Sequence, residues 1–395
     1  MPASLQKKKY KVTYGGWFQR TTLHLSEIYV LFMRGASHLD LSREELQRLY
    51  KGLDLVSVSR ESSYLEYVRA TTASGIEIRF YEDGLHILEM DTDDVSSAQK
   101  TLETYFQERL GPAIAYIFSL GAPTPKILAN IRTTHPVVVS TFIKKGAGFK
   151  FNESLFGEVY TTISSDDITV YKTPQYIFIA AQQTQHTSLR DLIEMQIFFR
   201  EFKDQLEKYL AIHRSIWEEI SDIKEAKVIR GKDVENIRGK LDGYQKTISL
   251  ISNRINQMGS YVNTRSSLAK NLQIEKSLVA LFEYKFETLT DTLSYIKEIW
   301  KMTSDYLASA IANLLEIKGQ STSNNLKSLQ TITSIGVISG ILGYLSANNL
   351  PRVSWSGIIY FVILFALTWV MNYVIVVKYK NKQYSLKFGA QASDI

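Results

Sequence analysis

The chain of 395 residues contains no cysteine, which removes disulfides, thiolate metal sites and cysteine nucleophiles together. Histidine is scarce: His24, His38, His86, His135, His186 and His213 are scattered, and no two are spaced like the ligands of a helical zinc site. No nucleophile elbow occurs, and residues 144–150, KKGAGFK, lack the Gly-Lys-Ser/Thr ending of a phosphate loop and read as a turn between strands. Catalysis is therefore not expected. The net charge of +6 is modest, and no basic run is interleaved with stacking aromatics, so nucleic acid is not an expected partner.

The most informative absence is of charge near the C-terminus. No charged residue lies between Lys327 and Arg352, nor between Arg352 and Lys378. Each gap is long enough for a helix, at about 1.5 Å per residue, to cross a hydrocarbon core of roughly 30 Å. Two transmembrane helices are predicted, over residues 328–347 and 353–377, joined by an outer loop over 348–352. The second is dense in Ile, Val, Leu and Phe, with Trp355, Tyr360, Trp369, Tyr373 and Tyr379 placed as interfacial aromatics. The first carries Thr331, Thr333, Ser334, Gly336, Ser339, Gly340, Gly343 and Ser346, a density of small and hydroxylated residues that suits a helix packed on other helices or lining a water-filled path. Lys378, Lys380, Lys382 and Lys387 come after the second span, while the loop has only Arg352, so the positive-inside rule puts the basic tail, residues 378–395, in the cytoplasm. With two spans the N-terminal part is cytoplasmic too. Lys7, Lys8 and Lys9 are followed by no apolar stretch, so no signal peptide is expected there.

The sequence upstream divides by periodicity. Residues 1–187 read as an α+β cytoplasmic domain of mixed order, with strand-like runs at 28–33, 54–59, 64–70, 76–81, 85–89, 137–142, 158–163 and 176–180. Glu82-Asp83-Gly84-Leu85 and Ala73-Ser74-Gly75-Ile76 put turn residues between alternating flanks, and helices are expected at 42–50 and 95–110. From Ser188 strand signals stop and charged, Leu-rich sequence takes over. Residues 188–263 are expected to form a helical hairpin, with Thr187 or Ser188 as N-cap and its tip near Gly231 and Gly239. A stalk helix, 264–327, then continues without proline into the first span. Leu278, Phe282, Leu289, Leu293, Ile296, Trp300, Leu307, Ile311 and Leu314 form its apolar stripe, and Gly319 to Asn325 is where it would kink or fray. Joined to the span it would be a rod of about 130 Å. A lone rod would leave its stripe in water, so a bundle about a symmetry axis is expected.

These long helices, the two spans and the basic tail resemble the CorA family of divalent-cation channels and transporters, in the two-transmembrane GxN superfamily. Leu326-Lys327-Ser328-Leu329 is similar to the family's apolar-Lys-x-Leu entry to the first span, and Ala347-Asn348-Asn349 falls where its Gly-Met-Asn signature stands. Leu350-Pro351 and Trp355 match a proline followed by an aromatic, and Lys378 to Lys382 match the terminal lysine cluster. The resemblance is specific over the last 70 residues or so. It differs in having Ala347 for the signature glycine and Arg352, with no acid, in the outer loop.

The resemblance implies a homopentamer in the cytoplasmic membrane that carries Mg²⁺ or a transition metal such as Co²⁺, Ni²⁺ or Zn²⁺. Asn349, with Asn348 and Ala347, would form the selectivity filter; the alternative for Asn349 is an ordinary polar residue of an Asn-Asn-Leu-Pro turn. Tyr344, Gly340, Val337, Gly336, Thr333, Leu329 and Leu326 would line the pore, with Leu326 and Leu329 as an apolar constriction or, equally, as bundle packing. Regulatory dications would be held by acidic residues such as Glu283, Glu287, Asp291, Glu298 and Asp305, or Asp91, Asp93 and Asp94. None has diagnostic spacing, and a helix N-cap before Val95 explains the last three more simply. Two other readings stay open: a non-conducting scaffold or sensor derived from such a channel, and transport with other selectivity, zinc coupled to protons or anions, which the Arg352 ring would suit.

Overall fold

Tyr10, Val12 and Tyr14 alternate with Lys11 and Thr13 in the first strand, so one face of it enters an apolar core and the other meets polar surroundings. That strand, β1 (Tyr10–Trp17), lies inside a nine-stranded sheet of order β2-β3-β4-β5-β1-β6-β9-β8-β7. The structure is a computed structural model, and it describes residues 9–18, 24–62, 65–119, 136–144, 149–165, 167–182, 186–225, 228–230, 232–345, 355–380 and 383–385. The other strands of the sheet are β2 (Leu55–Ser62), β3 (Glu66–Thr72), β4 (Glu77–Tyr81), β5 (Leu85–Thr92), β6 (Val137–Ile143), β7 (Thr161–Ser164), β8 (Ile168–Lys172) and β9 (Tyr176–Gln182). Every neighbouring pair is antiparallel except β6 with β9.

The apolar face is covered by α1 (Leu25–Arg34), α2 (Arg43–Leu53), α3 (Val95–Tyr105) and α4 (Gly111–Ile117), which build the core with Val12, Val68, Ile78, Leu88, Val139 and Phe178. The run at 28–33, predicted as strand, is helix α1. Leu25, Ile28, Leu31 and Phe32 are buried at helical spacing, and Gly35, left-handed at φ 60°, ends the helix with its N–H on Leu31 O. The helix predicted at 42–50 is α2, capped by Ser42, and the one at 95–110 is α3 continued by a π turn at Phe106–Leu110. Strands β1 and β8 are not among the predicted runs, although β8, ITVYK, is rich in β-branched and aromatic residues.

Long helices come next: α6 (His186–Glu225) after the short α5 (Glu153–Phe156), then α7 (Val234–Asn271), α8 (Glu275–Phe282), α9 (Phe286–Leu345) and α10 (Trp355–Lys380). The fold is thus a sheet-rich α+β domain followed by long helices. The helical breaks do not fall where expected. Residues 264–271 belong to α7; Gln273 and Glu283, at φ 57° and 60°, interrupt the predicted stalk, and Gly319 to Asn325 remain helical inside α9. Non-glycine residues at positive φ end helices here because the chain must turn while their neighbours Leu278, Leu281 and Phe282 are buried.

The chain divides into two compact units. One holds Met1–Ile212 with Ser249–Ile299, and the other His213–Ile248 with Trp300–Ile395. In the second unit Trp217 stacks on Tyr306 at 4.4 Å, with the Lys224 ammonium 3.7 Å from the Tyr306 ring centre. Residues beyond α10 return to pair there: β11 (Gln383–Ser385) runs antiparallel to β10 (Val228–Arg230), between α6 and α7. Among the described residues, no helix is long and apolar enough to cross a membrane.

The turns at Gly84 and Gly75 differ in a way that can be measured. Both have positive φ, 89° and 81°, but a Cβ on Gly84 would lie 2.0 Å from Phe18 O, whereas one on Gly75 meets nothing within 4 Å. Gly75→Ala is expected to cost about 1 kcal/mol from backbone strain alone, and Gly84→Ala more than about 3 kcal/mol, in urea unfolding. Equal losses would show that the close approach of Phe18 is not maintained in solution.

Candidate functional site

Two groups of residues bear on function: a buried polar frame on the second face of the sheet, and the exposed faces of the last two helices. In the frame, β4 and β5 present Arg79 and Glu89 beside Lys11 and Thr13 of β1. Arg79, 2% exposed, donates through Nη1 and Nη2 to both Glu89 oxygens at 2.8 and 2.9 Å, through Nη1 to Glu77 at 2.7 Å, and through Nε to Glu194 of α6 at 2.9 Å. Tyr81 Oη donates to the other Glu194 oxygen, and Lys11 Nζ reaches Glu89 at 3.2 Å. Burial pushes the Glu89 carboxyl up, but the hydrogen bonds and charge of Arg79, with Lys11 behind them, outweigh it and hold the carboxyl at about 2. Burial works against the Arg79 charge too, yet Glu194 and Glu89 raise its affinity for the proton well above the ordinary value.

A second clamp lies close by. Arg265 of α7, 1% exposed, donates to both Asp83 oxygens in the β4–β5 turn, at 2.6 and 3.0 Å, and its guanidinium sits over the rings of Tyr81 and Phe198. Arg200 of α6 donates to the carbonyls of Pro136 and Gly15 at 2.8 and 3.3 Å. Gly15 is small where α6 crosses, since a Cβ there would stand 3.1 Å from Ile197 Cδ1. These frame residues were not among the sequence candidates. Alternating charge in β4 and β5 looks like a solvated face, and only a matching Glu or Arg at helical positions 194 and 265 would have signalled otherwise.

Leu326, Leu329, Thr333, Gly336 and Gly340 succeed one another along α9 at steps of three and four, so the structure sets them on one helix face, with Val337 beside them. Leu326, Leu329 and Val337 are 56%, 51% and 54% exposed in the single chain, and a Cβ on Gly336 or Gly340 would meet nothing within 4 Å. Thr333 Oγ1 donates to Leu329 O at 2.8 Å, within its own helix. Tyr344 is helical in backbone, and Ala347, Asn348, Asn349 and Arg352 lie outside the described residues. Glu283, Glu287, Asp291, Glu298 and Asp305 are exposed. Among the described residues no three His, Cys, Asp or Glu side chains gather as a metal site. Asp94 caps α3, accepting from Ser97 N at 3.1 Å, and Asp93 accepts from Lys9 N at 3.0 Å.

The frame yields a pH prediction. Because the folded Glu89 carboxyl sits below its unfolded value of about 4.3, its stabilisation is present above that pH and is lost as pH falls toward 2. Glu89→Gln is expected to cost about 3 kcal/mol at pH 7, because Arg79 loses the partner it binds through two nitrogens. The gap between variant and parent should narrow from pH 5 to pH 3 in denaturant midpoints. A pH-independent gap would mean that Glu89 is not ionised in the folded chain.

No family model matches the chain, and no curated protein matches it. Among solved structures it is similar to the CorA magnesium transporter from Methanocaldococcus jannaschii, at 12% identity over 63% of this chain and 92% of that one, with a TM-score of 0.21. A likeness at that score establishes neither a shared fold nor a family.

Proposed function

We propose that the chain is a CorA-like membrane channel or transporter for divalent metal cations, Mg²⁺ or a transition metal, working as a homopentamer with the face of α9 that carries Leu326 to Gly340 toward the axis. The observation that carries the reading is the continuity of α9: one helix from Phe286 to Leu345 takes the charged segment past Lys327 into the run that has no charge, without a break. A helix that leaves Leu326, Leu329 and Val337 exposed needs a partner for that face, and further copies of the same helix supply one.

Among the described residues no helix is long and apolar enough to cross a membrane, so the two crossings are read from the uncharged runs of the whole sequence. The exposed apolar side chains of α10 and the position of β11 are what supports them. Twelve described large apolar side chains of α10, from Trp355 to Val377, are exposed. At roughly 1 kcal/mol for each half-exposed side chain, covering them is worth on the order of 10 kcal/mol, which a hydrocarbon phase provides. The β10–β11 pairing brings the chain after α10 back to the α6–α7 connection, and Lys318 of α9 reaches Glu235 at the start of α7, so α9 before the uncharged run and the chain after α10 both lie beside that connection. This agrees with the lysines after residue 377 and with both termini in the cytoplasm.

At the outer turn, Asn349 would contribute a carboxamide oxygen to a ring around the axis. Neutral oxygens hold a hydrated Mg²⁺ through its water shell without the grip of carboxylates, so the ion can leave. Leu329 and Leu326 would close the inner end by dewetting. Arg352 and Ala347 favour a second reading, a non-conducting scaffold or sensor that keeps the architecture, because a ring of arginines beside the mouth repels dications and the signature glycine is missing.

Proteoliposomes loaded with a metal-sensitive dye separate the readings. Uptake of Mg²⁺, Co²⁺, Ni²⁺ or Zn²⁺ is expected for the parent chain, with at least about a tenfold loss for Asn349→Ala, the scale of about 1.4 kcal/mol. Arg352→Glu is expected to raise dication flux. Uptake of none of these ions would leave the scaffold, and an anion flux lost in Arg352→Glu would assign the opposite selectivity.

A further inference from the structure

We infer that the polar face of the sheet holds a binding site for a small organic anion with an apolar body, of the nucleoside monophosphate class. A cavity of about 1110 Å³ lies there, floored by Lys11, Thr13, Arg79, Glu89 and Ser140 from four strands and walled by the first turns of α6. That is ample for a small molecule, since such sites are commonly several hundred Å³. The cavity lies wholly within the unit that holds the sheet, and the site does not rest on the transport reading.

The decisive residue is Thr13. It is 2% exposed, it lines the cavity, and its Oγ1 has no hydrogen-bond partner among the described residues. A hydroxyl buried without a partner opposes folding, and such a group persists where a ligand or water completes it. An apolar residue of the same shape, Val, would serve better if the position were only structural.

The charges select the ligand. Arg79 is committed to Glu77, Glu89 and Glu194, and the oxygens of Glu89 and Glu194 are engaged by Arg79, Lys11 and Tyr81, so the floor offers little to a cation. At the rim stand Lys9, Lys11 and Arg190, the last two 40% and 48% exposed. The Lys11 ammonium has three hydrogens and two carboxylate neighbours, Glu89 at 3.2 Å and Asp91 at 3.8 Å, which leaves it one donor to give. Arg190, 3.5 Å from Asp191, reaches into the same space from α6. Asp91 beside Lys11 limits how much negative charge the rim accepts, which favours a single phosphate over a polyphosphate. Phe142, on the same face of β6 as Ser140, provides aromatic wall for a flat apolar body, and the hydroxyls of Thr13 and Ser140 suit a sugar.

Calorimetry on the full chain in detergent, with AMP, adenosine and inorganic phosphate as probes, tests this apart from any flux measurement. AMP is expected to bind at least about tenfold more tightly than adenosine or phosphate. Thr13→Val should raise the melting temperature of the free chain while weakening AMP about tenfold, a pair of opposite effects that a structural role would not produce. Arg190→Gln, at a half-exposed position, should weaken AMP with no change in melting temperature. Absence of AMP binding, AMP binding no tighter than its two fragments, or unchanged affinity in both variants would overturn the proposal.

Discussion

Two buried arginines fasten helices to strands, and the arrangement of the N-terminal unit depends on them. Arg79 leaves β4 for Glu194 of α6, and Arg265 leaves α7 for Asp83 in the β4–β5 turn. Each arginine is almost fully buried, so each must keep its partners: an isolated buried charge costs several kcal/mol, and a pair recovers this only when hydrogen bonds satisfy the remaining donors and acceptors. Both conditions are met here. Glu89 bridges Arg79 through two oxygens, Tyr81 completes Glu194, and Asp83 receives two bonds from Arg265. The charges therefore act less as a source of stability than as a choice of register, since sliding α6 or α7 by one residue would strand a guanidinium or a carboxylate among apolar neighbours such as Ile193, Ile197 and Phe198.

The two faces of the sheet thus solve different problems. One is packed by α1 to α4 with aliphatic and aromatic side chains, the ordinary arrangement of helices on a sheet. The other accepts long helices with directional contacts, a small residue at Gly15 and the carbonyls that Arg200 binds, beside apolar packing such as Phe198 and Phe202 on Trp17. Directional contacts do not fill volume. The same face that is clamped by charges also borders the cavity, beside Arg79, Glu89 and Glu194.

The sequence was legible where one physical signal dominated. Turn glycines at 75 and 84, the caps Ser42 and Asp94, and the long 3.6-residue pattern from Ser188 onward all correspond to structure. It was illegible where two states share a pattern. The run 28–33 is short and apolar, and only the neighbouring Leu25 and the terminating Gly35 make it a helix. The breaks at Gln273 and Glu283 carry no glycine or proline to announce them, because burial of the flanking side chains, not local preference, holds these residues at positive φ. For the candidate sites the limit is of another kind: Lys11, Thr13, Arg79, Glu89 and Glu194 lie far apart in the chain, and only the strand order brings β1 between β5 and β6.

On the transport reading the last two helices need different surroundings, and their sequences differ accordingly. The exposed side chains of α10, among them Ile359, Val362, Ile363, Phe365, Leu367 and Trp369, advance by about 100° per residue and so point in all directions around the helix. A helix that is apolar all round has no preferred partner face and suits a uniform hydrocarbon surrounding. In α9 the steps from Leu326 through Thr333 to Gly340 keep one face, and that face alternates apolar, hydroxylated and small residues. Lipid gains nothing from such a face, because small residues offer little surface and a hydroxyl already bonded to Leu329 O gives no contact to a tail. Close approach of like helices does gain from it, since backbones without side chains at Gly336 and Gly340 can pack tightly or leave room for water. On that reading the unequal chemistry of the two helices places α9 toward other copies and α10 toward lipid, whichever ion passes between them.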